Sequence, residues 1–151
     1  MTEISDVNIR LAYKEDIGGM YAVEKASFAM PWSYESFAEN FYNAFSVYVL
    51  AEDAENGIIG FAGMQMIFDE AHIMNVAVKK EFRRKGVADG MMAFIKSYAK
   101  EKGVLRVFLE VRTSNLPAQA LYAKHGFSVM TVRKKYYSDT DEDALIMISD
   151  L

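Results

Sequence analysis

The first stretch of this sequence that could bind a ligand is a basic, glycine-containing segment, residues 79–88. It joins a predicted strand to a predicted helix, and Gly86 and Ala88 are small enough at the helix start to let backbone amides approach a ligand. The unpaired N–H groups and the positive end of the helix dipole favour a pyrophosphate. Three cations would add positive charge: Arg83, Arg84 and Lys85. The alternative is a solvated basic turn before an ordinary helix.

Glu110 is an ionisable residue inside residues 107–111, a run too apolar for a surface strand. A buried carboxylate is costly unless it is paired or near water, and burial tends to raise its pKa, which suits a general base. The alternative is a structural salt bridge to Arg106 or Arg112, which share the strand face of Glu110.

Tyr122 lies on the apolar face of a short predicted helix, at helical spacing from Ala118 and His125. The pattern alone favours a core residue. A phenol can also donate a proton to a thiolate that forms beside it. Both interpretations remain open at this point.

The other polar features favour structural roles. His125, near a helix end, is expected to be a C-terminal cap or a surface residue, and His72 a sheet-surface residue. The acidic residues between 139 and 143 predict a solvated turn, with attraction for a basic peptide as the alternative.

The composition is typical of a globular domain, because 52% of the 151 residues are hydrophobic and 25% are charged. The length predicts a single domain over residues 1–151. Seventeen basic and 21 acidic residues give a net charge of −4, which is unfavourable for general nucleic-acid binding.

Cysteine is absent from the sequence, which excludes a disulfide scaffold, a thiol nucleophile and a thiolate zinc site. With two histidines, no metal is expected. The charged N-terminus, with Glu3 and Asp6, does not resemble a signal peptide, and the apolar stretch 58–68 is too short to span a bilayer. We therefore expect a cytoplasmic protein without a membrane partner.

The positions of apolar residues and turn signals predict the elements that hold these groups. The Asn56-Gly57 pair is a strong hairpin signal, Ser33 can cap a helix, and Asn115 can cap another. The predicted strands are residues 7–13, 46–53, 58–68, 71–78, 106–112, 128–137 and 144–149, and the predicted helices are residues 14–28, the segment after Ser33, 87–102 and 117–125.

The strand–helix–strand order between residues 71 and 112 predicts one parallel, right-handed crossover among otherwise antiparallel strands. The sequence therefore predicts an α/β fold, with a mixed and mostly antiparallel central sheet and helices on both faces.

Taken together, these segments resemble the GNAT acetyltransferase superfamily. Its phosphate-binding signature is Gln/Arg-x-x-Gly-x-Gly/Ala, which residues 83–88 match as Arg-Arg-Lys-Gly-Val-Ala. A second block of the superfamily is matched by Asn115, by Ala-Leu-Tyr at 120–122 and by Gly-Phe at 126–127.

The resemblance is more specific to the RimI branch, the ribosomal-protein alanine N-acetyltransferases, and covers nearly the whole chain. Its features here are Pro-Trp-Ser at 31–33, Asn-Val-Ala-Val at 75–78, Leu-Glu-Val-Arg-x-Ser-Asn at 109–115, and Tyr-Tyr at 136–137 followed by Glu-Asp-Ala-Leu-Ile-Met at 142–147.

The resemblance implies a sheet of about seven strands in which two parallel strands splay apart around acetyl-CoA. The backbone of Val76, Ala77 and Val78 would pair with the pantetheine arm, and Asn115 would contact the cosubstrate further along. The pyrophosphate would be held beside Arg83, by the amides of Arg84, Lys85, Gly86, Val87, Ala88 and Asp89.

The resemblance further implies that Glu110 is the base and Tyr122 the acid, and that the acceptor is a protein N-terminus, the alanine of a small-subunit ribosomal protein. Two other functions stay open: acetylation of a small amine or a lysine side chain, and non-catalytic acyl-CoA binding. Arg83 and Ala88 replace the commoner glutamine and glycine, and the proline that often follows the Tyr-Tyr pair is missing.

Overall fold

The computed structural model describes residues 6–151, so Glu3 lies outside the described part of the chain. Two 3-10 turns, Lys14–Asp16 and Lys80–Phe82, accompany the main elements. In chain order these are β1 (Val7–Leu11), α1 (Ile17–Ser27), α2 (Tyr34–Tyr42), β2 (Ser46–Asp53), β3 (Gly57–Ile67), β4 (Glu70–Val78), α3 (Val87–Glu101), β5 (Arg106–Arg112), α4 (Leu116–Lys124), β6 (Ser128–Tyr137) and β7 (Glu142–Asp150).

The strands of residues 6–151 form one seven-stranded sheet in the order β1-β2-β3-β4-β5-β7-β6. The β4–β5 pair is parallel and the other five pairs are antiparallel. This confirms the predicted mixed sheet with one parallel crossover, which α3 provides.

The parallel ladder between β4 and β5 is short. It runs from the pair Glu70–Arg106 to the pair Ile73–Leu109, and β4 then continues to Val78 without a β5 partner among the described residues. The two strands therefore part at this point, as the predicted splayed pair requires.

A bulge in β4 lies where the strands part. Gly63 of β3 is opposite Asn75, while the next residue of β3, Met64, is opposite Ile73, so Met74 is the extra residue. Bulges bend and twist the strand that carries them. The bend therefore falls at the first positions of β4 that have lost β5.

Apolar clusters cover both faces of the sheet. On one face, residues of α1 and α2 such as Met20 and Phe37 pack with Tyr48. On the other face, residues of α3 and α4 such as Ile95 pack with Val49. Because Tyr48 and Val49 are neighbours on one strand, they point to opposite faces, which confirms the predicted two-sided helical cover.

Local hydrogen bonds explain where the helices and turns begin. Ser33 Oγ accepts from the N–H of Ser36 at the start of α2, and Asn115 Oδ1 accepts from the N–H of Ala118 at the start of α4. Gly57 has a φ of 74°, which suits glycine in the predicted hairpin turn.

Three predicted boundaries were wrong by a few residues. Strand β1 ends at Leu11, because the N–H of Tyr13 bonds to the Asp16 carboxylate and starts a 3-10 turn. That turn also splits the helix predicted from residue 14. Strand β7 begins at Glu142, two residues early, because Glu142 pairs with Tyr137.

Within residues 6–151, no helix is long and apolar enough to cross a membrane.

Replacing Phe37 by alanine tests the aromatic core under α1 and α2. Phe37 is fully buried, and its ring lies 5.4 Å from that of Phe61 and 5.6 Å from that of Tyr48. Because truncation would leave a cavity among these buried rings, we expect Phe37→Ala to lower the free energy of unfolding by about 3–5 kcal/mol in urea titrations. The exposed Tyr42 on the same helix is the control. Tyr42→Ala should change the free energy of unfolding by less than about 0.5 kcal/mol. Equal effects of the two changes would contradict this packing.

Candidate active site

Glu110 is the first residue of β5 beyond the parallel ladder, and its side chain is 13% exposed. Its Oε2 lies 2.5 Å from Nε2 of His72 on β4. The predicted alternative, a salt bridge to Arg106 or Arg112, is wrong. Those arginines pair instead with carboxylates on β7 and in the turn before it, because β5 lies beside β7.

His72 is not the plain sheet-surface residue that the sequence predicted. Its ring stacks on Phe108 with centroids 4.6 Å apart and planes within 6°, and its side chain is 30% exposed. His72 and Phe108 are partners in the parallel ladder, which leaves Glu110 two residues further along the same face. Sequence reasoning missed His72 because its importance depends on the β4–β5 register.

Two tyrosines of β6 complete the surroundings of Glu110. Burial raises the pKa of Tyr136, and the Glu110 carboxylate raises it further through its charge and a hydrogen bond. Burial also raises the pKa of Tyr137 to about 12, with Glu110 among the charges that add to it. In the sequence, Tyr136 and Tyr137 served only as part of the family resemblance, and their position near Glu110 was not predicted.

The hairpin between β6 and β7 brings both tyrosines to one place. Neighbouring strand residues normally point to opposite faces. Here the β6–β7 register shifts between Arg133 and Tyr137, Lys135 has a φ of 51°, and the rings of Tyr136 and Tyr137 meet edge to face with centroids 5.0 Å apart. The irregular backbone therefore places two successive phenols side by side.

Arg112 fastens this hairpin to β5. Its guanidinium lies 4.0 Å from the ring centroid of Tyr137 and 2.9 Å from Asp139 Oδ2. Glu142 Oε2 accepts from the N–H of Ser114 at 2.6 Å, and the pKa of Glu142 is lowered first by a hydrogen bond from the Ser114 side chain and then by this backbone bond. The interpretation of the acidic run as a merely solvated turn is wrong, since these carboxylates hold the hairpin against the β5–α4 connection.

Tyr122 belongs to the core, as its pattern predicted. It is 8% exposed, and its ring lies 5.9 Å from that of Phe127. Burial raises the pKa of Tyr122 to about 12, and the charge of Tyr137 contributes. The phenol is therefore protonated at neutral pH, and it lies within electrostatic reach of a tyrosine that also responds to Glu110.

One edge of β4 is open beside this group. Val76, Ala77 and Val78 pair with β3 on one side, opposite residues 60–62. On the other side, the part of the chain described here offers them no β5 partner. An extended group with amide hydrogen bonds could pair with this edge as an added strand does.

The predicted phosphate segment connects that open strand to α3. Its backbone takes left-handed conformations at Arg84 (φ 61°) and Gly86 (φ 82°), and Arg83 Nε donates to the carbonyl of Val78 at 2.9 Å. Gly86 is the N-cap of α3, and no side chain caps that position. The amides of Val87 and the residues after it are therefore suited to an anion.

Asp89 turns its side chain toward α4. Its carboxylate accepts from His125 at 2.9 Å and lies 3.2 Å from Lys124 Nζ, and the His125 bond is the main cause of its lowered pKa. His125 does end α4, as predicted, but its ring also ties α4 to the first turn of α3. The His125 bond directs the Asp89 carboxylate toward α4, and the Lys124 ammonium offsets its charge, which would otherwise repel an anion at the helix start.

These features fit acetyl-CoA. A strand edge without a β5 partner is joined by residues 79–86 to a helix N-terminus that no side chain caps, and the side chains of Arg83, Arg84 and Lys85 are exposed along this connection. Asn115 is exposed at the start of α4.

Among residues 6–151 no cluster of His, Asp or Glu has the arrangement of a metal site. The expectation that the enzyme uses no metal stays a prediction.

The sequence matches the model of the acetyltransferase (GNAT) family over residues 17–127. A Bacillus subtilis relative is 40% identical over 93% of this chain and 91% of its own length. The Escherichia coli K12 protein named ribosomal protein bS18-alanine N-acetyltransferase is 35% identical over 87% of this chain and 89% of its own length.

The fold is shared with solved structures of such enzymes. The crystal structure of the ribosomal-protein-S18-alanine N-acetyltransferase from Escherichia coli superimposes with a TM-score of 0.89 and 31% identity, covering 96% of this chain and 94% of that chain. The chain therefore belongs to the GNAT family, in which it resembles the ribosomal-protein alanine N-acetyltransferases over most of its length, and it is an acetyl-CoA-dependent N-acetyltransferase.

Proposed function

We propose that this enzyme acetylates the N-terminal amine of a protein, and that its acceptor is the N-terminal alanine of ribosomal protein bS18. The observation that carries the proposal is the position of Glu110, which follows the last pair of the parallel ladder and contacts His72. The names of the bacterial relatives support the choice of acceptor. A ribosomal acceptor also implies action in the cytoplasm.

Acetyl-CoA would lie along the open edge of Val76, Ala77 and Val78, with its pyrophosphate at the start of α3. The amides from Arg84 to Asp89 and the exposed cations would hold the phosphates, and Asn115 would contact the cosubstrate further along. Bound there, acetyl-CoA supplies an acetyl group that is activated as a thioester.

Glu110 acts as the general base. A free α-amine has a pKa of about 7.7–8.0, so a useful fraction of it is neutral at pH 7. Glu110 therefore has to remove only the proton that the nitrogen loses as the C–N bond forms. His72 donates Nε2–H to one carboxylate oxygen, which orients Glu110 for the amine or a bridging water.

Tyr122 acts as the general acid. As the C–S bond breaks, its phenol gives a proton to the thiolate sulfur, so that the products are the acetylated amine and free CoA. The proton taken by Glu110 and the one given by Tyr122 balance, and no acyl-enzyme is needed. Holding the amine and the thioester together also removes several kcal/mol of the barrier.

A peptide assay tests the acceptor class directly. We expect an alanine-starting peptide with internal lysines to release free CoA from acetyl-CoA and to gain one acetyl group at its N-terminus, as mass spectrometry would show. The same peptide with a blocked N-terminus is the control and should give no reaction. Acetylation of the blocked peptide would indicate a lysine acetyltransferase, and absence of turnover in protein that binds CoA would indicate a binding module.

Replacing Glu110 by glutamine tests the base. Because a positioned base contributes about 10²–10⁴-fold to a rate, we expect Glu110→Gln to lower kcat by a factor in that range while the Kd for acetyl-CoA, measured by calorimetry, stays within twofold of the original. The control is Glu101→Gln, an exposed position at the end of α3. A kcat equal to that of the control variant would assign the base to another group.

Replacing Tyr122 by phenylalanine tests the acid and carries a pH signature. A phenol with a pKa near 12 keeps its proton until the pH rises toward that value. The unmodified enzyme should therefore show no alkaline loss of kcat below pH 10 from this group, and Tyr122→Phe should lower kcat by about 10²-fold at every pH from 7 to 10. Tyr98→Phe on α3 is the control. Unchanged kcat in Tyr122→Phe would leave Tyr122 as a core residue only.

A further inference from the structure

Glu24 is a buried carboxylate that the proposed chemistry does not use. It lies in the last turns of α1 and is 2% exposed. Among residues 6–151, no lysine or arginine forms an ion pair with it. Burying a charge with only neutral partners costs free energy that an apolar side chain of similar size would not. The role of Glu24 therefore lies in the geometry that it imposes.

The two oxygens of Glu24 bind two different segments. Oε2 accepts from the backbone N–H of Trp32 at 3.0 Å, and Oε1 accepts from Nδ2 of Asn75 at 3.2 Å. Trp32 lies in the connection between α1 and α2, and Asn75 lies on β4. One carboxylate thus joins a helix, a connecting segment and a strand of the sheet.

The connection between α1 and α2, residues 28–33, is held at both polar groups of the Trp32 backbone. Glu24 binds its N–H, and the hydroxyl of Tyr21 donates to its carbonyl at 2.8 Å. The side chains of Phe28, Met30 and Trp32 are exposed by 37%, 68% and 37%. We call this exposed apolar segment, residues 28–33, the 28–33 rim. Its backbone is fixed although its side chains face solvent.

Asn75 connects the 28–33 rim to the reacting groups. It is one residue before the open edge at Val76, and three residues, about 10 Å of strand, beyond His72. It is also opposite Gly63 at the bulge, where a Cβ on Gly63 would come within 2.9 Å of Asn75 Oδ1. Any larger residue at position 63 would therefore crowd the Asn75 side chain.

The amide of Asn75 is oriented by Glu24. Its Oδ1 is buried and has no hydrogen-bond partner among the described residues, whereas its Nδ2 donates to Glu24. A buried polar atom without a partner is uncommon and costly. The bond to Glu24 is therefore the contact that sets which way the Asn75 amide points.

We propose that Glu24 is a positioning residue that holds the 28–33 rim in register with β4, so that the rim receives the residues of the acceptor that follow its reacting amine. The inference rests on the proposed function, since it assumes a peptide acceptor beside Glu110. Glu24 acts through Trp32 and Asn75 and touches neither substrate. Its loss should therefore weaken acceptor binding more than it slows the reaction of bound acceptor.

Kinetics of two variants test this role. Glu24→Leu removes both hydrogen bonds and keeps the volume, so we expect the KM for the alanine peptide to rise about tenfold while kcat stays within about threefold of the original. The Kd for acetyl-CoA should not change. In Glu24→Gln the amide oxygen can accept from Trp32, and once the Asn75 amide turns over by 180°, the glutamine N–H₂ can donate to Asn75 Oδ1. This variant should therefore restore the KM to within about threefold of the original. Glu101→Gln is again the matched control.

Hydrogen exchange provides a readout that does not depend on activity. In Glu24→Leu we expect the amide of Trp32 to exchange at least about tenfold faster while the amides of α3 and the central strands keep their protection. If the unmodified enzyme does not acetylate the peptide, the proposed function fails and this arm still tests Glu24. An unchanged peptide KM in an active Glu24→Leu variant would overturn the positioning role. An unchanged exchange rate of the Trp32 amide in Glu24→Leu would also overturn this role. An equal loss of hydrogen-exchange protection throughout the sheet would overturn it as well.

Discussion

The separation of β4 and β5 after four paired residues is the constraint on which the rest of the site depends. An open strand edge inside a sheet normally invites unwanted pairing. Here the bulge at Met74 bends β4 at the point of separation, and the edge from Val76 to Val78 has no β5 partner among the described residues, although the Val78 carbonyl accepts from Arg83. The same separation leaves Glu110 as the first residue of β5 beyond the ladder, beside the gap. A continuous β4–β5 ladder would close the edge and cover the carboxylate.

The candidate base and acid lie in different surroundings, and the difference suits their proposed tasks. Glu110 keeps some contact with solvent and a hydrogen bond to His72, so that an incoming amine could reach it. Tyr122 is enclosed by core residues, and its raised pKa keeps the phenol protonated. Arg112 and Glu142 fix the hairpin that carries Tyr137, which lies within electrostatic reach of both groups. The acid and base roles thus draw on β4, β5, α4 and the hairpin of β6 and β7.

Much of this arrangement was predictable from local patterns. The Asn56-Gly57 hairpin, the caps at Ser33 and Asn115 and the parallel crossover follow from residue types and spacing, because turn and cap preferences act within a few residues. The resemblance in residues 83–88 identified the family, which the comparisons confirm. The roles of Glu110 and Tyr122 stay predictions. What local patterns missed are contacts across strands, such as His72 with Glu110 and Arg112 with the β6–β7 turn.

The sequence by itself determined the order of strands and helices, the basic turn that leads into α3, and the membership in an acetyltransferase family. Only the tertiary structure decided which residues meet. It chose His72 rather than an arginine as the partner of Glu110, because the parallel register of β4 and β5 brings them to one face. It also joined Glu24 to Trp32 and Asn75, which are 8 and 51 residues away along the chain. Such pairs depend on strand register and helix placement, which the packing of the whole chain sets.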